Sequence, residues 1–299
     1  MSIQAASGGR VGGGRRLAIW LHAHPRAQLW LLLALPLAWI GLVYIGSLVV
    51  LLLNGVWEKD AFSGRVIPFS FSLDAFVQLF TVDVYRTITF RTIGMALAVT
   101  LTDIALAFPI AYYMARMAGP RLRRVLVVAV LMPLWASYLV KIYAWRTILQ
   151  GNGPLDWVLA PFGLDAPGLR EVGNSWVVLS YLWLPYMILP IYAGLERIPN
   201  SLLEASADLG ARAGITFRRV VLPLVIPSVV AGSIFTFSLT LGDYITPALV
   251  SNTLFIGNVI YNNSGTGNLP LAAAFSLVPV IIMITYLLIA RRLGAFESL

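Results

Sequence analysis

The chain has no cysteine, two histidines and few charges; Asp, Glu, Lys and Arg together make up 11% of its 299 residues. Without thiols it can build neither a disulfide framework nor a thiolate metal site, although this says little about compartment. His22 and His24 flank Ala23 just ahead of the first apolar stretch, where they read as interfacial histidines rather than as metal ligands. The opening "SGGRVGGGRR" is not followed by Gly-Lys-Ser/Thr, which makes it a flexible tail rather than a phosphate-binding loop. A nucleophile elbow is missing as well. These absences leave no ground for reading the chain as an enzyme, and no metal, catalytic residue or cofactor is expected in it. Soluble domains carry roughly 25% charged residues, so the shortage of charge excludes an ordinary soluble protein.

What is present is apolar. The hydrophobic class reaches 59% of the chain, and the mean hydropathy is +0.83. Six stretches, at about 29–53, 92–115, 125–148, 175–195, 227–250 and 271–290, meet the roughly 20 residues that a bilayer-crossing helix needs. The expected fold class is therefore an all-α membrane protein with six transmembrane helices. Basic residues precede the first stretch and no small-residue cleavage signature follows it, so it is read as a retained span. Proline recurs along the spans, at Pro36, Pro109, Pro133, Pro185, Pro190, Pro247 and Pro279. Such prolines either kink helices for packing or mark helices that line a path.

Lys and Arg divide unevenly between the two sides, fourteen in one set of segments and seven in the other. The richer side is cytoplasmic by the positive-inside rule, which places both termini there. That placement accounts for the +8 net charge without invoking nucleic acid. The chain then divides into a cytoplasmic tail (1–28), a first span (29–53), an outer loop (54–91), a five-helix core (92–290) and a cytoplasmic tail (291–299). Within the core, 197–226 forms a cytoplasmic segment.

That segment contains "LLEASADLGARAGITFRRVVLPLVIP", a charged interruption between two membrane-length stretches. Asn200 or Ser201 can cap a helix after Pro199, and Ser201 with Glu204 fits a capping box. Gly210 is placed to end the helix. Leu202, Ala205, Ser206 and Leu209 share one face; Glu204 and Asp208 share another, with Arg212 placed to pair with Asp208. So short a helix gains little stability alone, and its small side chains permit close approach. It reads either as a docking element for a cytosolic partner or as a membrane-surface linker.

The spacing Glu204-Ala205-Ser206, three residues, Gly210, nine residues, Val220-Val221-Leu222-Pro223 resembles the EAA loop of the permease subunits of binding-protein-dependent ABC importers. Two positions depart from that pattern, Ser206 for Ala and Val220 for Ile. The segments "AFPIAYYMAR", "MPLWASYLVKIYAWRTIL", "WLPYMILPIYAGLERIP" and "TFSLTLGDYITPALV" are further similar to spermidine/putrescine-type permeases. The resemblance implies a type I ABC importer permease fold and an inner-membrane location. Glu204, Ala205, Ser206, Asp208, Gly210, Leu222 and Pro223 would then contact a partner ATPase dimer, which would bind ATP and Mg. A second permease subunit and a periplasmic or lipid-anchored substrate-binding protein are implied too. Other permeases of this group carry opines, other organic cations, phosphonates or iron.

Two acids fall inside spans, Asp103 and Asp243. A charge there is costly, so each should face protein or a water-filled path. Asp243 in "LGDYITP", with Tyr244, and the deep rings Tyr138, Trp183 and Tyr186 are the candidate cargo route, since ammonium groups are drawn to carboxylates and aromatic faces. Asp103 is a further candidate. The alternatives are a structural hydrogen bond for each acid, or a secondary transporter or channel using Asp103 and Asp243 as an ion relay.

Overall fold

The computed structural model describes residues 22, 24–60, 66–163 and 172–292. The glycine-rich tail, part of the first outer loop and the end of the C-terminal tail lie outside the described residues. The chain divides into two units, residues 1–53 and 54–299. In the first, α1 (Pro25–Trp39) runs through a π-helical stretch, Ile40–Ile45, into α2 (Gly46–Asn54). Pro25 opens α1, where its missing N–H would have lacked a partner in any case. Together they form an apolar rod long enough to cross a bilayer.

The second unit opens with an antiparallel hairpin, β1 (Trp57–Lys59) and β2 (Val66–Phe71), followed by α3 (Asp74–Thr81). Next comes α4 (Asp83–Tyr112), which continues through a π-helical turn at Tyr113–Met117. It begins well before the apolar stretch expected from Thr92. Asp83 in its first turn suits the positive end of the helix dipole. The hydroxyls of Thr87, Thr89 and Thr92 donate to carbonyls one turn back, which accommodates polar residues on the helix. Hydropathy registers only the oily part of such a rod.

The stretch expected to form one span at 125–148 is instead two helices, α5 (Pro120–Trp135) and α6 (Tyr138–Leu149), bent by 92°. Ala136 and Ser137 are extended and separate them. Neither is Gly or Pro; the nearest helix breaker is Pro133, three residues before Ala136 and inside α5. Further on lie α7 (Pro154–Leu159), α8 (Val172–Glu196), α9 (Asn200–Asp208) and α10 (Ala213–Thr216). A π-helical turn, Phe217–Val221, leads into α11 (Leu222–Gly242); α12 (Ile245–Val250), α13 (Ile256–Gly265) and α14 (Leu269–Arg292) complete the chain. Among the described residues five helices are long and apolar enough to cross a bilayer, or six spans if α5 and α6 count as one.

The core sits where α4, α8 and α11 pack together. Ala107, Ala111, Met114, Met187, Ile191, Leu195 and Val225 are fully buried there. Lipid offers no hydrophobic drive between helices, so close approach of small residues supplies the packing instead. A Cβ added to Gly194 of α8 would lie 2.1 Å from Ser228 Oγ and 2.6 Å from its Cβ on α11. The hydroxyl can rotate, but the Cβ is fixed by the backbone. Gly194→Ala should therefore destabilise the bundle by about 1–3 kcal/mol, the usual cost of overpacking, seen as a lower unfolding temperature in detergent. Adding Ser228→Gly should restore part of the loss; equal stability of all three proteins would refute the close packing.

Candidate functional site

Two regions stand out: a polar hairpin at one end of the bundle, and a meeting of two helix breaks within it. The hairpin is α9 and α10. Pro199, with φ −65° and ψ 140°, leads the chain into α9. At the other end Gly210 takes φ +74°. Its N–H donates to Ala207 C=O (2.8 Å) while the N–H of Ala211 donates to Ser206 C=O (3.1 Å). This pair of bonds is a Schellman termination, which needs a left-handed residue at Gly210. The expected stop at Gly210 is thus formed.

Other local expectations are corrected. No side chain caps α9, so the Ser201/Glu204 box does not form. The helix begins one residue earlier, and the Asn200 side chain is instead held by Arg116, whose Nη1 donates to Asn200 Oδ1 at 3.0 Å. Asp208 and Arg212 do not pair, because the Schellman turn ends the helical register and Arg212 caps the start of α10. Of the apolar face expected at Leu202, Ala205, Ser206 and Leu209, Ser206 turns inward and bonds Thr216 Oγ1 at 2.8 Å. The residue that anchors α9 to the core is Leu203, which sequence reasoning missed. Its signal was available: Leu203 lies three residues before Ser206, on the same face. Leu202 (44% exposed) and Leu209 (88% exposed) point outward with Glu204, Ala205 and Asp208. Leu222 is half-buried at the start of α11, and Pro223 beside it is exposed.

The second region begins at Asp243, which separates α11 from α12 and is 8% exposed. Its Oδ1 accepts from the N–H groups of Ile245 (2.9 Å) and Thr246 (3.1 Å), capping α12. Its Oδ2 accepts from Thr246 Oγ1 (2.7 Å) and from Tyr138 OH (2.5 Å). The carboxylate's four acceptor positions are all used. Tyr138 is the first residue of α6, just past the bend, so one phenol ties the two breaks together. Trp183 stacks on Tyr138 (5.9 Å between centroids, 16°), Tyr186 tilts against Trp183 (5.9 Å), and Phe235 stacks on Tyr186 (6.5 Å, 27°). No ion pair reaches Asp243 among the described residues. Its charge is held by dipoles and left uncompensated.

Asp243, Tyr138, Trp183 and Tyr186 are therefore brought together. Tyr244 is not: its ring stacks on Tyr261 (4.6 Å, 18°), and its carbonyl accepts from Asn258 Nδ2 (2.7 Å). Asp243 is extended, whereas Tyr244 (φ −115°, ψ −18°) has already turned into the helical region at the start of α12, and the two side chains diverge. Asp103 lies apart, fully buried in α4. Neither of its carboxyl oxygens has a hydrogen-bond partner among the described residues, and the hydroxyl of Ser180 on α8 is likewise buried without one. Sequence reasoning missed Thr246 and Phe235. Thr246 follows Asp243 by three residues, the spacing of a cap and its N3 partner. Removing the hydroxyl alone, in Tyr138→Phe, keeps the ring stack and deletes the bond to Asp243, worth about 1.5–3 kcal/mol as a bond to a charged acceptor, together with the contact to Thr246 Oγ1 (2.9 Å). The unfolding temperature should fall accordingly. No change would mean that the two breaks are held by something else.

Membrane-length helices, one span broken between α5 and α6, and an exposed hairpin at one end fit a membrane transport permease. The chain belongs to the family described as the binding-protein-dependent transport system inner membrane component, whose model matches residues 107–296. It is 47% identical to the inner membrane ABC transporter permease protein YdcU of Escherichia coli K12, over 97% of each chain. It is 29% identical to the spermidine/putrescine transport system permease protein PotB of the same organism, over 85% of this chain and 93% of that one. A bacterial alginate ABC transporter, solved with an alginate-pentasaccharide-bound periplasmic protein, shares its fold with a TM-score of 0.72 at 17% identity, covering 92% of this chain and 96% of that one. The MetNI methionine ABC transporter matches with a TM-score of 0.56 at 17% identity, over 69% and 92% of the two chains. The fold is that of a type I ABC importer permease, and the protein is a multi-pass permease subunit of such an importer. Its family is one of permeases rather than enzymes, and the ion-gradient alternative is set aside.

Proposed function

We propose that this permease subunit carries polyamines such as spermidine or putrescine into the bacterial cytoplasm across the inner membrane, by alternating access. The single observation that carries the cargo reading is the uncompensated Asp243 carboxylate beside Tyr138, Trp183 and Tyr186. A fixed negative charge attracts an ammonium group, and ring faces add about 0.5–2 kcal/mol of cation–π attraction as water is removed. Because the oxygens of Asp243 are already engaged, the attraction is electrostatic rather than a tight coordination. Weak attraction of that kind permits both entry and release.

The remaining parts follow from the hairpin. Its exposed face, Leu202, Glu204, Ala205, Asp208 and Leu209, is the docking surface for an ATPase dimer that binds ATP and Mg. A second permease subunit completes the path, and an external binding protein delivers the cargo. The arginines near the hairpin end of the bundle, Arg116, Arg121, Arg123, Arg124, Arg218 and Arg219, support a cytoplasmic location for that end. The test is uptake into vesicles holding the purified complex with its binding protein. Labelled spermidine or putrescine should accumulate only with internal ATP, and an excess of uncharged or anionic solute should not compete. Transport of an anion in preference to a polyamine would overturn the cargo reading.

A further inference from the structure

We propose that Arg116 is the positioning residue through which motion of the hairpin enters α4, and so the transmembrane core. The inference rests on the reading of α9 as the segment seated on the ATPase. Arg116 lies in the π-helical turn that ends α4. Its Nη2 donates to the carbonyls of Leu195 (2.5 Å) and Ile198 (2.7 Å), and its Nη1 to Asn200 Oδ1 (3.0 Å). The Leu195 carbonyl lies in the last turn of α8, where it also accepts from the N–H of Ile198 (3.3 Å), and the Ile198 carbonyl lies just past the helix end. Asn200 is the first residue of α9. A single guanidinium therefore spans the end of α8, the linker and the start of the hairpin. Its planar fork fixes direction as well as distance.

The other arm of the hairpin grips the same helix. Phe217, at the entry to α11, meets Phe108 (5.6 Å, 83°) and Tyr112 (6.0 Å, 76°) of α4 edge to face. The Ser206–Thr216 bond holds α9 and α10 together between the two contacts. Arg123 of α5 occupies the carbonyls of Met114 (3.1 Å) and Ala115 (3.0 Å) at the end of α4. Those acceptors are thereby satisfied without engaging Arg116. Displacement of α9 is thus passed to α4 at two points, one polar and one aromatic. The π-helical turn that carries Arg116, directly after Tyr112, is a local departure from α geometry of the kind found at functional sites. At its far end α4 meets α13, where Thr92 Oγ1 accepts from the N–H of Ile256 at 3.1 Å. The helix joins the hairpin to the opposite side of the bundle.

The experiment uses the assembled complex of permeases, ATPase and binding protein. Arg116→Lys keeps the charge but not the fork. It should leave ATPase co-purification and basal ATP hydrolysis unchanged, while stimulation of hydrolysis by cargo-loaded binding protein falls at least tenfold. Asn200→Ala, which removes only one of the three bonds, keeps the test open if the lysine variant assembles poorly; it should lower stimulation about threefold. Normal stimulation in the assembled variants would overturn the proposal. A separate variant, Leu209→Glu on the exposed face, examines the underlying reading. If it retains the ATPase fully, α9 is not the docking helix and the proposal falls for that different reason.

Discussion

Asp243→Asn should reduce polyamine uptake by about 10- to 100-fold while the complex still assembles. The substitution preserves shape and one acceptor oxygen, so the N–H groups of Ile245 and Thr246 that cap α12 keep a partner. What disappears is the negative charge. A bond to a charged group is worth about 1.5–3 kcal/mol, and attraction for a passing cation is lost with it. The complication is that Asp243 also has a structural task, since four donors converge on it. Thr246→Val separates the two roles, because it deletes one donor and leaves the charge. Uptake should fall far less in Thr246→Val than in Asp243→Asn, at comparable expression and unfolding temperature. Equal losses would reduce Asp243 to a helix cap and remove it from the cargo route.

Gly210→Val should abolish coupling while leaving the isolated permease folded. Gly210 holds a left-handed conformation that costs an ordinary residue about 1–2 kcal/mol, and a β-branched side chain fits it worst. The effect is conformational rather than steric, because no heavy atom lies within 4 Å of the Cβ position. The strain would open the Schellman turn and swing α9 out of register with α10. The core contacts among α4, α8 and α11 lie elsewhere, so the unfolding temperature of the permease itself should change little. ATP-dependent uptake should drop more than tenfold, with weaker ATPase co-purification. Gly210→Asn is the control, because asparagine tolerates the left-handed region; it should retain most activity. If valine and asparagine behaved alike, the geometry of the turn would have no part in coupling.

Much of this architecture is legible in the residues, and the reasons for success and failure are physical. The membrane-length rods are evident because lipid forces every backbone bond inward, so hydropathy alone locates them. Gly210 is legible because a left-handed turn singles out one residue type. Asp243 is legible because an acid within an oily stretch is costly and so demands a purpose. The bend between α5 and α6 is less legible: Ala136 and Ser137 are neither Gly nor Pro, Pro133 lies inside α5, and the break is held by Tyr138 bonding to a residue more than a hundred positions away. The same holds for the Ser201/Glu204 box. The helix begins at Asn200 instead, which puts Pro199 at the cap position and takes Ser201 out of it.

Sequence by itself determined that the chain lives in lipid, that its basic residues divide unevenly between the two sides, and that a glycine-ended helix interrupts the spans. Each depends on the chemistry of residues near one another in the chain. Only the tertiary structure decided that two helix breaks meet at Tyr138 and Asp243, that Tyr244 faces away from them, and that Leu203 and Arg116 anchor the hairpin. Those outcomes depend on which distant donor reaches which acceptor first. That competition between groups is settled by packing, and no local pattern records it.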